Sequence, residues 1–261
     1  VLALSTEEIM EKRVQAELLD ASAISHALVG GYWRVSTVSE APSTQDLIRT
    51  SNPQHGDVIA AEFQSAGRGR MDRTFEAEKS TALLFSFYVE PQSSRANWSF
   101  IPLLVGLTIS ETLNEITGDN SYLCKWPNDI VIHDKKVSGT IAETFAHGII
   151  IGIGINVTMN AEQLPVPTAS SILLESAVTL DRNLLLADFL TKFATNFEAW
   201  EAGSDFTARY QSLSATISKK VRAIAPDGSE QIGTAISVDE TGALHLDSGA
   251  IVHVGDVEHL R

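Results

Sequence analysis

The sequence has 261 residues, 44% of them hydrophobic, which is enough for one substantial core and a small second domain. Its 19 Lys and Arg residues against 33 Asp and Glu give a formal net charge of −14, which disfavours binding to nucleic acid. The longest apolar run, residues 100–109, is about half of the roughly 20 residues that cross a bilayer, and the single Cys124 excludes a disulfide framework or a cysteine-cluster zinc site.

The N-terminal residues predict a short amphipathic helix. Ser5-Thr6-Glu7-Glu8 is a capping-box pattern, and Ile9, Val14 and Leu18 follow at helical spacing. The early acidic residues do not fit a signal peptide, so we expect a cytoplasmic protein. A helical extension over residues 1–29 is also too short for a winged-helix DNA-binding domain of about 60 residues.

The first strand is predicted over residues 32–38 and is followed by Ser43-Thr44. These hydroxyls can cap a helix running from Gln45 towards Arg49. They also lie at a junction of strand and helix, where hydroxyls can face a ligand. The residues alone leave both interpretations open.

An arginine cluster, residues 64–75, lies between apolar strand patterns at 58–63 and 81–89. It reads Gln64-Ser65-Ala66-Gly67-Arg68-Gly69-Arg70-Met71-Asp72-Arg73-Thr74-Phe75. Glycines allow backbone amides to approach a ligand, and arginines hold phosphate or carboxylate through forked bonds. A solvated turn is the competing interpretation, but the flanking strands favour an anion-binding loop. We expect it to become ordered when a ligand binds.

The middle of the chain predicts one long helix and then a hairpin. The helix runs from Trp98 to Thr117, with Pro102 in its first turn and Gly118 at its end. Lys125-Trp126-Pro127-Asn128-Asp129 leads into a strand at 130–132, and His133-Asp134-Lys135-Lys136 is predicted as a turn. The lysines could be a solvated hairpin tip, and Asp129 could form an Asx turn.

Two further strands are predicted at 137–143 and 149–157. Gly152 and Gly154 lie at strand spacing, so two side chains are missing from one face. That face can accept a ligand at close range.

The C-terminal part predicts helices at 183–200 and 206–213 and then short strands. The strand patterns at 221–225, 231–238, 243–246 and 250–254 are separated by turn signals, as in a small β-barrel. We place a domain boundary near residue 215.

Together these motifs resemble those of a biotin protein ligase. The resemblance covers nearly all of the sequence from about residue 33, in this order: Ser43-Thr44, Gln64, Gly67-Arg68-Gly69-Arg70, Arg73, Lys125-Trp126-Pro127-Asn128-Asp129, Lys136-Val137-Ser138-Gly139, Gly152-Ile153-Gly154-Ile155-Asn156 and Gly255-Asp256-Val257. The short N-terminal segment resembles the monofunctional type, which lacks a DNA-binding domain.

The resemblance implies an α+β fold. Residues 30–214 would form a catalytic domain with a mixed β-sheet like that of class II synthetases and helices mainly on one face, and 215–261 an SH3-like β-barrel. It also implies ATP and Mg²⁺, with biotin as substrate. Biotinyl-5′-AMP would form first, and biotin would then pass to a lysine of a biotin carboxyl carrier domain of a carboxylase.

The resemblance also assigns roles to residues, and it places Lys136, Arg70 and Asp129 in catalysis. The residues implied to bind biotin are Ser43, Thr44, Gln64, Gly67, Arg68, Arg70, Lys136, Gly139, Gly152 and Gly154. Those implied to bind ATP or the adenylate are Arg68, Arg70, Arg73, Phe75, Asn128, Lys136 and Asn156. No metal ligand is assigned, although Asn156 could contact the adenylate or its metal.

Two residue roles stay open in the sequence. Asp129 could deprotonate the incoming lysine, or it could orient Lys136 or the metal. Phe75 stands where the family usually has tryptophan, and we expect it to stack on adenine with less area.

The main alternative function is that of a lipoate or octanoate ligase or transferase of the same fold. The arginine and Lys-Trp-Pro-Asn-Asp motifs argue against it. Two more distant candidate functions are a biotin-responsive DNA-binding regulator and a non-catalytic biotin-binding module.

Overall fold

The computed structural model describes residues 17–28, 30–70, 73–176 and 180–260. The helix predicted from Ser5 falls almost wholly outside these residues, as do Met71 and Asp72 of the arginine loop. The first described helix is α1 (Ala21–Ala27), and the Asp20 carboxylate caps it by accepting hydrogen bonds from the next backbone amides.

A seven-stranded mixed sheet forms the centre of the molecule. Its strands, in chain order, are β1 (Arg34–Val38), β2 (Asp57–Ala61), β3 (Ala82–Val89), β4 (Leu123–Lys125), β5 (Asp129–Ile132), β6 (Lys135–Phe145) and β7 (Gly148–Asn156). The spatial order is β1-β2-β3-β7-β6-β5-β4, with β1 and β2 parallel and all other neighbours antiparallel. β3 and β7 are buried along their whole length because they lie at the centre. The predicted mixed sheet is confirmed.

Helices cover the two faces of this sheet unequally. They are α2 (Thr44–Thr50), α3 (Ile101–Thr117), α4 (Ile172–Ser176), α5 (Arg182–Glu201) and α6 (Thr207–Ser212). In the main core, between the sheet and α5, Phe85 and Phe87 of β3 pack edge-to-face against Phe189 and Phe193 of α5. The short α2 covers the opposite face, where Ile48 joins a small separate cluster.

The start of the long helix α3 differs from the sequence-based expectation. The helix predicted from Trp98 begins as a 3₁₀ turn over Arg95–Phe100, and the α-helix starts at Ile101. Pro102 explains the position, because a proline lacks a backbone donor and fits the first helical turn. Gly118 ends the helix in a left-handed conformation, as predicted.

The hairpin between β5 and β6 is tighter than expected. Only His133 and Asp134 form the turn, both with positive φ, as two-residue hairpin turns require. Lys135 and Lys136 already belong to β6. Because successive strand residues point to opposite faces, the two lysines separate, and the predicted four-residue turn is corrected accordingly.

The C-terminal strands form a second, antiparallel sheet of five strands with an SH3-like character. They are β8 (Lys220–Ile224), β9 (Glu230–Val238), β10 (Leu244–Leu246), β11 (Ile251–Val252) and β12 (Asp256–His259), in the spatial order β11-β10-β9-β8-β12. The strand β12 was not predicted, and it pairs with β8 so that Asp256 lies opposite Ile224. Within the described ranges, no helix combines the length and apolarity that crossing a membrane would need.

A buried ion pair joins the end of β2 to the start of α5. The Arg182 guanidinium lies 2.8 Å from the Glu62 carboxylate, and both residues are almost fully buried. Burial acts to raise the pKa of Glu62, but hydrogen bonds from Leu19, Ser80 and Arg182 outweigh it and hold that pKa below its ordinary value of 4.5. The pair therefore fixes the chain just before the arginine loop begins.

Replacing Arg182 by methionine is expected to lower the free energy of unfolding by about 3–5 kcal/mol, because it leaves Glu62 buried without its cation. Urea denaturation at neutral pH measures the loss. Because the folded-state pKa of Glu62 is lowered, the stabilisation is present above its unfolded pKa and disappears as pH falls through the folded value. The difference between the two proteins should therefore shrink at acid pH.

The Lys192→Ala variant is the control, since Lys192 pairs with the exposed Glu115 at the surface and its loss should change stability little. A loss for Arg182→Met as small as that of Lys192→Ala would contradict the structural importance of the buried pair.

Candidate active site

One cleft gathers most of the predicted site residues. It has a volume of about 330 Å³ and lies on the face of the central sheet that carries α2. The predicted residues that line it are Ser43, Thr44, Gln64, Arg68, Arg70, Arg73, Phe75, Asn128, Asp129, Lys136, Gly139, Gly152 and Gly154. Gly67 and Asn156 do not line it.

The cleft is basic in a strongly acidic chain. Its cationic side chains are Arg68, Arg70, Arg73, Lys125 and Lys136, and its acidic ones are Asp129, Asp256 and Glu258. The local excess of two positive charges contrasts with a formal net charge of −14 for the chain. Such a concentration of cations in a concave site attracts anions.

The start of α2 presents hydroxyl groups to the cleft. Ser43 caps the helix, because its Oγ accepts from the Gln45 amide at 3.2 Å. Thr44 donates to Gln64 Oε1 from its backbone N at 2.7 Å and from its Oγ1 at 3.0 Å, and its Oγ1 lies 2.8 Å from Ser86 Oγ. The side-chain oxygen of Gln64 is thereby engaged twice, which leaves its Nε2 as the end that can donate to a ligand.

The glycines of β7 create the depth of the cleft. A Cβ at Gly154 would lie 2.6 Å from Cζ of Phe75, so the phenyl ring rests directly against the strand. A Cβ at Gly152 would lie 3.1 Å from Gln45 Oε1 and 3.3 Å from Ser86 Oγ. The two glycines, at strand spacing, therefore form part of the floor of the cleft.

Gln45 is a cleft residue that the sequence analysis missed. It is only 2% exposed, and neither its Oε1 nor its Nε2 has a hydrogen-bond partner. A signal was present in the sequence, because Gln45 lies three residues before the apolar Ile48 and therefore on the same side of α2. A polar residue at a sheet-facing helix position is unusual enough to call for a functional explanation.

Lys136 enters the cleft from the start of β6. Its Nζ forms an ion pair of 2.6 Å with Asp129 Oδ1 on β5. The Nζ also lies 2.9 Å from the point where a Cβ of Gly139 would be, so the absence of a side chain there leaves room for the lysine. The ion pair fixes where the lysine charge can act.

The backbone of Lys136 is held by a neighbouring segment. Lys136 N donates to Thr168 O at 2.8 Å, and Ser170 N donates to Lys136 O at 2.8 Å. Asn156 donates from Nδ2 to Ser170 O at 2.8 Å and is itself buried. The structure therefore places Asn156 behind the cleft, where it supports the segment that holds Lys136.

Arg68 lies at one edge of the arginine loop. Its guanidinium donates to Asp46 Oδ1 at 3.0 Å and to Glu143 Oε1 at 2.7 Å. Glu143 also pairs with Arg49 of α2. This network ties the loop to α2 and β6.

The other edge of the loop is tied to the C-terminal sheet. Arg70 donates to Asn128 Oδ1 at 2.9 Å and to the carbonyl oxygen of Gly255 at 3.0 Å, and it lies 3.5 Å from Asp256 Oδ1. Arg73 donates to Asp256 Oδ2 at 2.6 Å. Burial lowers the pKa of the Arg70 guanidinium, opposed by Asp256 and Asp129, yet an arginine remains charged.

The described residues offer no site that could hold a metal ion with protein side chains alone. In the ranges given above, no three His, Cys, Asp or Glu side chains are grouped so that they could hold a metal ion.

Comparisons with known proteins identify the family of the chain. Residues 35–160 match the family model described as the biotin/lipoate A/B protein ligase family. The chain is 30% identical to the biotin–[acetyl-CoA-carboxylase] ligase of Mycobacterium tuberculosis over 93% of this chain and 96% of that protein. It is also 30% identical to the bifunctional ligase/repressor BirA of Escherichia coli, over 90% of this chain and 75% of that protein.

A solved structure shows the same architecture. Biotin protein ligase from Aquifex aeolicus in complex with biotin and ATP superposes with a TM-score of 0.78 at 27% identity. The match covers 87% of this chain and 98% of the Aquifex chain.

Replacing Asp256 by alanine is expected to loosen the arginine loop in the absence of ligands, because Arg70 and Arg73 lose their shared carboxylate. Trypsin should then cleave within the loop about 3- to 10-fold faster, as expected for the loss of partly exposed ion pairs. Biotin with ATP should restore protection, since the ligand anions replace the carboxylate.

The Glu240→Ala variant is the matched control, because Glu240 is an exposed acid of the C-terminal part of the chain. Equal cleavage of wild type and Asp256→Ala, or cleavage that ligands do not slow, would contradict the role given to this contact.

Proposed function

The chain belongs to the biotin protein ligase family, and we propose that its cleft carries out both half-reactions of an ATP-dependent biotin ligase. Biotin and ATP give biotinyl-5′-AMP and pyrophosphate, and the biotinyl group then passes to the amine of a lysine of a carboxylase carrier domain. An amide bond forms in this second step while the bond from the acyl carbon to the phosphate oxygen breaks, so AMP and a proton are released. The observation that carries the proposal is the joint placement of the loop arginines, Lys136 and the glycine floor in one cleft. Biotin ligation is favoured over lipoate or octanoate transfer because the similar proteins named above are biotin ligases.

The first half-reaction brings two anions together. A carboxylate oxygen of biotin forms a bond to the α-phosphorus of ATP while the bond from that phosphorus to the pyrophosphate oxygen breaks. Arg70, Arg73 and Lys136 supply positive charge where negative charge accumulates, and each such donor commonly contributes about 3–4 kcal/mol. Lys136, which lines the same cleft, is proposed to contact both the carboxylate and the phosphate.

The loop arginines must exchange partners for this to happen. Without ligands, Arg70 and Arg73 share Asp256. A triphosphate carries more charge than one carboxylate and accepts several forked bonds, so it competes successfully for the guanidinium groups. Arg68, held by Asp46 and Glu143, keeps the loop backbone in place during the exchange.

The ring of biotin is proposed to lie between α2 and the glycine floor. Ser43, Thr44 and Gln64 supply polar groups there, Gly152 leaves space for the apolar part of the molecule, and Gly154 leaves space for the Phe75 ring beside it. Such a slot needs polar partners for the ring because an unpaired buried polar group costs about 1–3 kcal/mol.

Adenine is proposed to stack on Phe75, whose ring already lines the cleft against Gly154. Gly67 serves the same region indirectly: a Cβ there would lie 2.2 Å from the carbonyl oxygen of Phe75. Asn128 links the adenylate end to Arg70 through their hydrogen bond. Asn156 is proposed to act through Ser170 by positioning Lys136.

Mg²⁺ would enter with ATP and be held mainly by phosphate oxygens and water, with Asp129 or Asn128 of the cleft as possible oxygen donors of the protein. This fits the preference of Mg²⁺ for one or two protein oxygens together with substrate phosphates. When bound, the ion would neutralise part of the phosphate charge.

Asp129 is proposed to orient Lys136. The 2.6 Å ion pair between them supports this role over that of a base for the acceptor lysine. The acceptor is proposed to be a biotin carboxyl carrier domain, and the reaction is proposed to take place in the cytoplasm, where ATP is available.

The Lys136→Ala variant is expected to release pyrophosphate from ATP, Mg²⁺ and biotin about 10²- to 10³-fold more slowly than wild type, because one main stabilising charge is lost. A coupled phosphate assay measures this. Lys135→Ala is the matched control, since Lys135 pairs with Glu175 outside the cleft, and its rate should stay within about twofold.

Substrate identity is tested in the same assay with biotin, lipoate and octanoate supplied in turn. Release with lipoate but not biotin would assign the protein to the rival activity. Release with none of them, despite biotin binding, would leave a non-catalytic binding module.

Replacing Asp129 by alanine is expected to slow pyrophosphate release about 10- to 100-fold because Lys136 loses the group that orients it. Asp129→Asn keeps an acceptor oxygen and should recover part of the rate. The outcome that would contradict this role has two parts: Asp129→Ala releases pyrophosphate at the wild-type rate, but it transfers biotin slowly from preformed biotinyl-5′-AMP. Asp129 would then be a base for the second half-reaction.

A further inference from the structure

We propose that Glu175 is a positioning residue for the reaction: its carboxylate holds the Ser170 side chain, and Ser170 in turn holds the backbone of Lys136. The inference rests on the proposed function, because it explains how the chain fixes the lysine assigned to the first half-reaction. The sequence motifs gave a role to neither Ser170 nor Glu175.

Lys136 depends on its backbone contacts because packing does not fix its side chain, which is 42% exposed. Regular sheet pairing is also incomplete at this residue. β7 pairs with β6 only from Ser138 onwards, and the register between β5 and β6 shifts directly after Lys136. The central sheet therefore holds Lys136 on one side only.

The segment that contains Ser170 takes the place of β7 beside Lys136. Lys136 N donates to Thr168 O and Ser170 N donates to Lys136 O, both at 2.8 Å, in a parallel bridge between Lys136 and Ala169. A displacement of Ser170 would therefore move the backbone of Lys136, and the Nζ atom with it.

Ser170 is itself held by two side chains. Its Oγ donates to Glu175 Oε1 at 2.6 Å, and its carbonyl oxygen accepts from Asn156 Nδ2 at 2.8 Å. Ser170 is buried, so water does not compete freely for these bonds. Asn156 and Glu175 thus anchor the residue that fixes Lys136.

Glu175 is suited to be a rigid anchor. Its side chain is only 9% exposed, and its carboxylate also lies 2.9 Å from His133 Nδ1 and 3.0 Å from Lys135 Nζ. Burial acts to raise the pKa of Glu175, but hydrogen bonds from His133, Ser170 and Lys135 outweigh it and lower that pKa to about 2. The carboxylate therefore remains an acceptor for Ser170 at neutral pH.

The connection from Glu175 to Lys136 runs through Ser170 and not through Lys135. The Lys135 side chain is largely exposed, and an exposed ion pair contributes little. The loss of the Lys135 ammonium would leave the bond between Ser170 and Glu175 intact. This agrees with the small effect expected above for Lys135→Ala.

The Ser170→Ala variant tests the connection by removing a single oxygen atom. The kcat of pyrophosphate release should fall about 10-fold because Lys136 is displaced, and the KM values for biotin and ATP should stay within about twofold. Glu175→Ala should have a similar effect. Glu175→Gln keeps an acceptor oxygen for Ser170 and should stay within about threefold of the wild-type kcat.

The same substitutions in a Lys136→Ala background separate positioning from a general structural role. When the ammonium group is absent, Ser170 has nothing left to position, so Ser170→Ala should change the residual rate by less than about twofold. A residue that merely stabilises the fold would lower the rate in both backgrounds. Release of radiolabelled pyrophosphate at high enzyme concentration measures the slow variants.

Ser212→Ala is the matched control. Ser212 is exposed, and its Oγ donates to Arg209 O at 2.7 Å, so the substitution removes a hydroxyl hydrogen bond of similar length far from Lys136 in the sequence. It should leave both rates unchanged. The Ser170→Ala variant carries the test if Glu175→Ala fails to fold.

Three results would each overturn the assignment: an unchanged kcat in Ser170→Ala, an equal loss in the wild-type and Lys136→Ala backgrounds, or a Glu175→Gln variant as slow as Glu175→Ala. The proposed function fails in a different way, since wild-type protein would then release no pyrophosphate with biotin.

Discussion

The structure depends on gathering positively charged side chains in the cleft, because the chain as a whole is strongly acidic. Each cation of the cleft that enters an ion pair does so with an acid at the rim: Arg68 with Asp46 and Glu143, Arg70 and Arg73 with Asp256, and Lys136 with Asp129. These pairs hold the cations at fixed positions before any substrate arrives. A substrate anion therefore meets cations that are already gathered at the cleft, although Arg70 and Arg73 must exchange Asp256 for that anion.

The central sheet provides the second requirement, a floor that can be approached closely. Most of β3 and β7 is apolar and buried, yet Ser86, Gly152 and Gly154 interrupt that pattern on the cleft face. The core beneath, built from aromatic side chains of β3 and α5, gives the floor a rigid support. Small and polar residues at the centre of a buried sheet reduce packing, and here the space that they leave forms part of the cleft.

Much of the fold and of the site was predictable because the signals were local. The arginine cluster between two strands, the glycines at period two in β7 and the turn residues of the C-terminal part each mark a structure within a few residues of themselves. The contribution of Asp256 was not predictable in this way, since it depends on β12 pairing with β8 and on a contact with Arg70, which lies far away in the sequence. The separation of Lys135 from Lys136 depended on whether the turn has two residues or four, which sequence patterns determine poorly. The burial of Gln45 depended on how α2 packs against the sheet.

The hydrogen bonds by which Arg70 and Arg73 hold the loop to the C-terminal part of the chain differ in how easily a mutation can remove them. Arg70 donates to a backbone carbonyl at position 255, and every amino acid carries that acceptor, so no change of side-chain type removes the oxygen itself. Arg73 has a carboxylate as its partner in this sheet, which a single codon change can delete. In related sequences, the contact that holds Arg73 can thus be lost by mutation, while the backbone contact that holds Arg70 remains. The anchor of Arg70, the more buried of the two arginines, is therefore the one better protected against mutation.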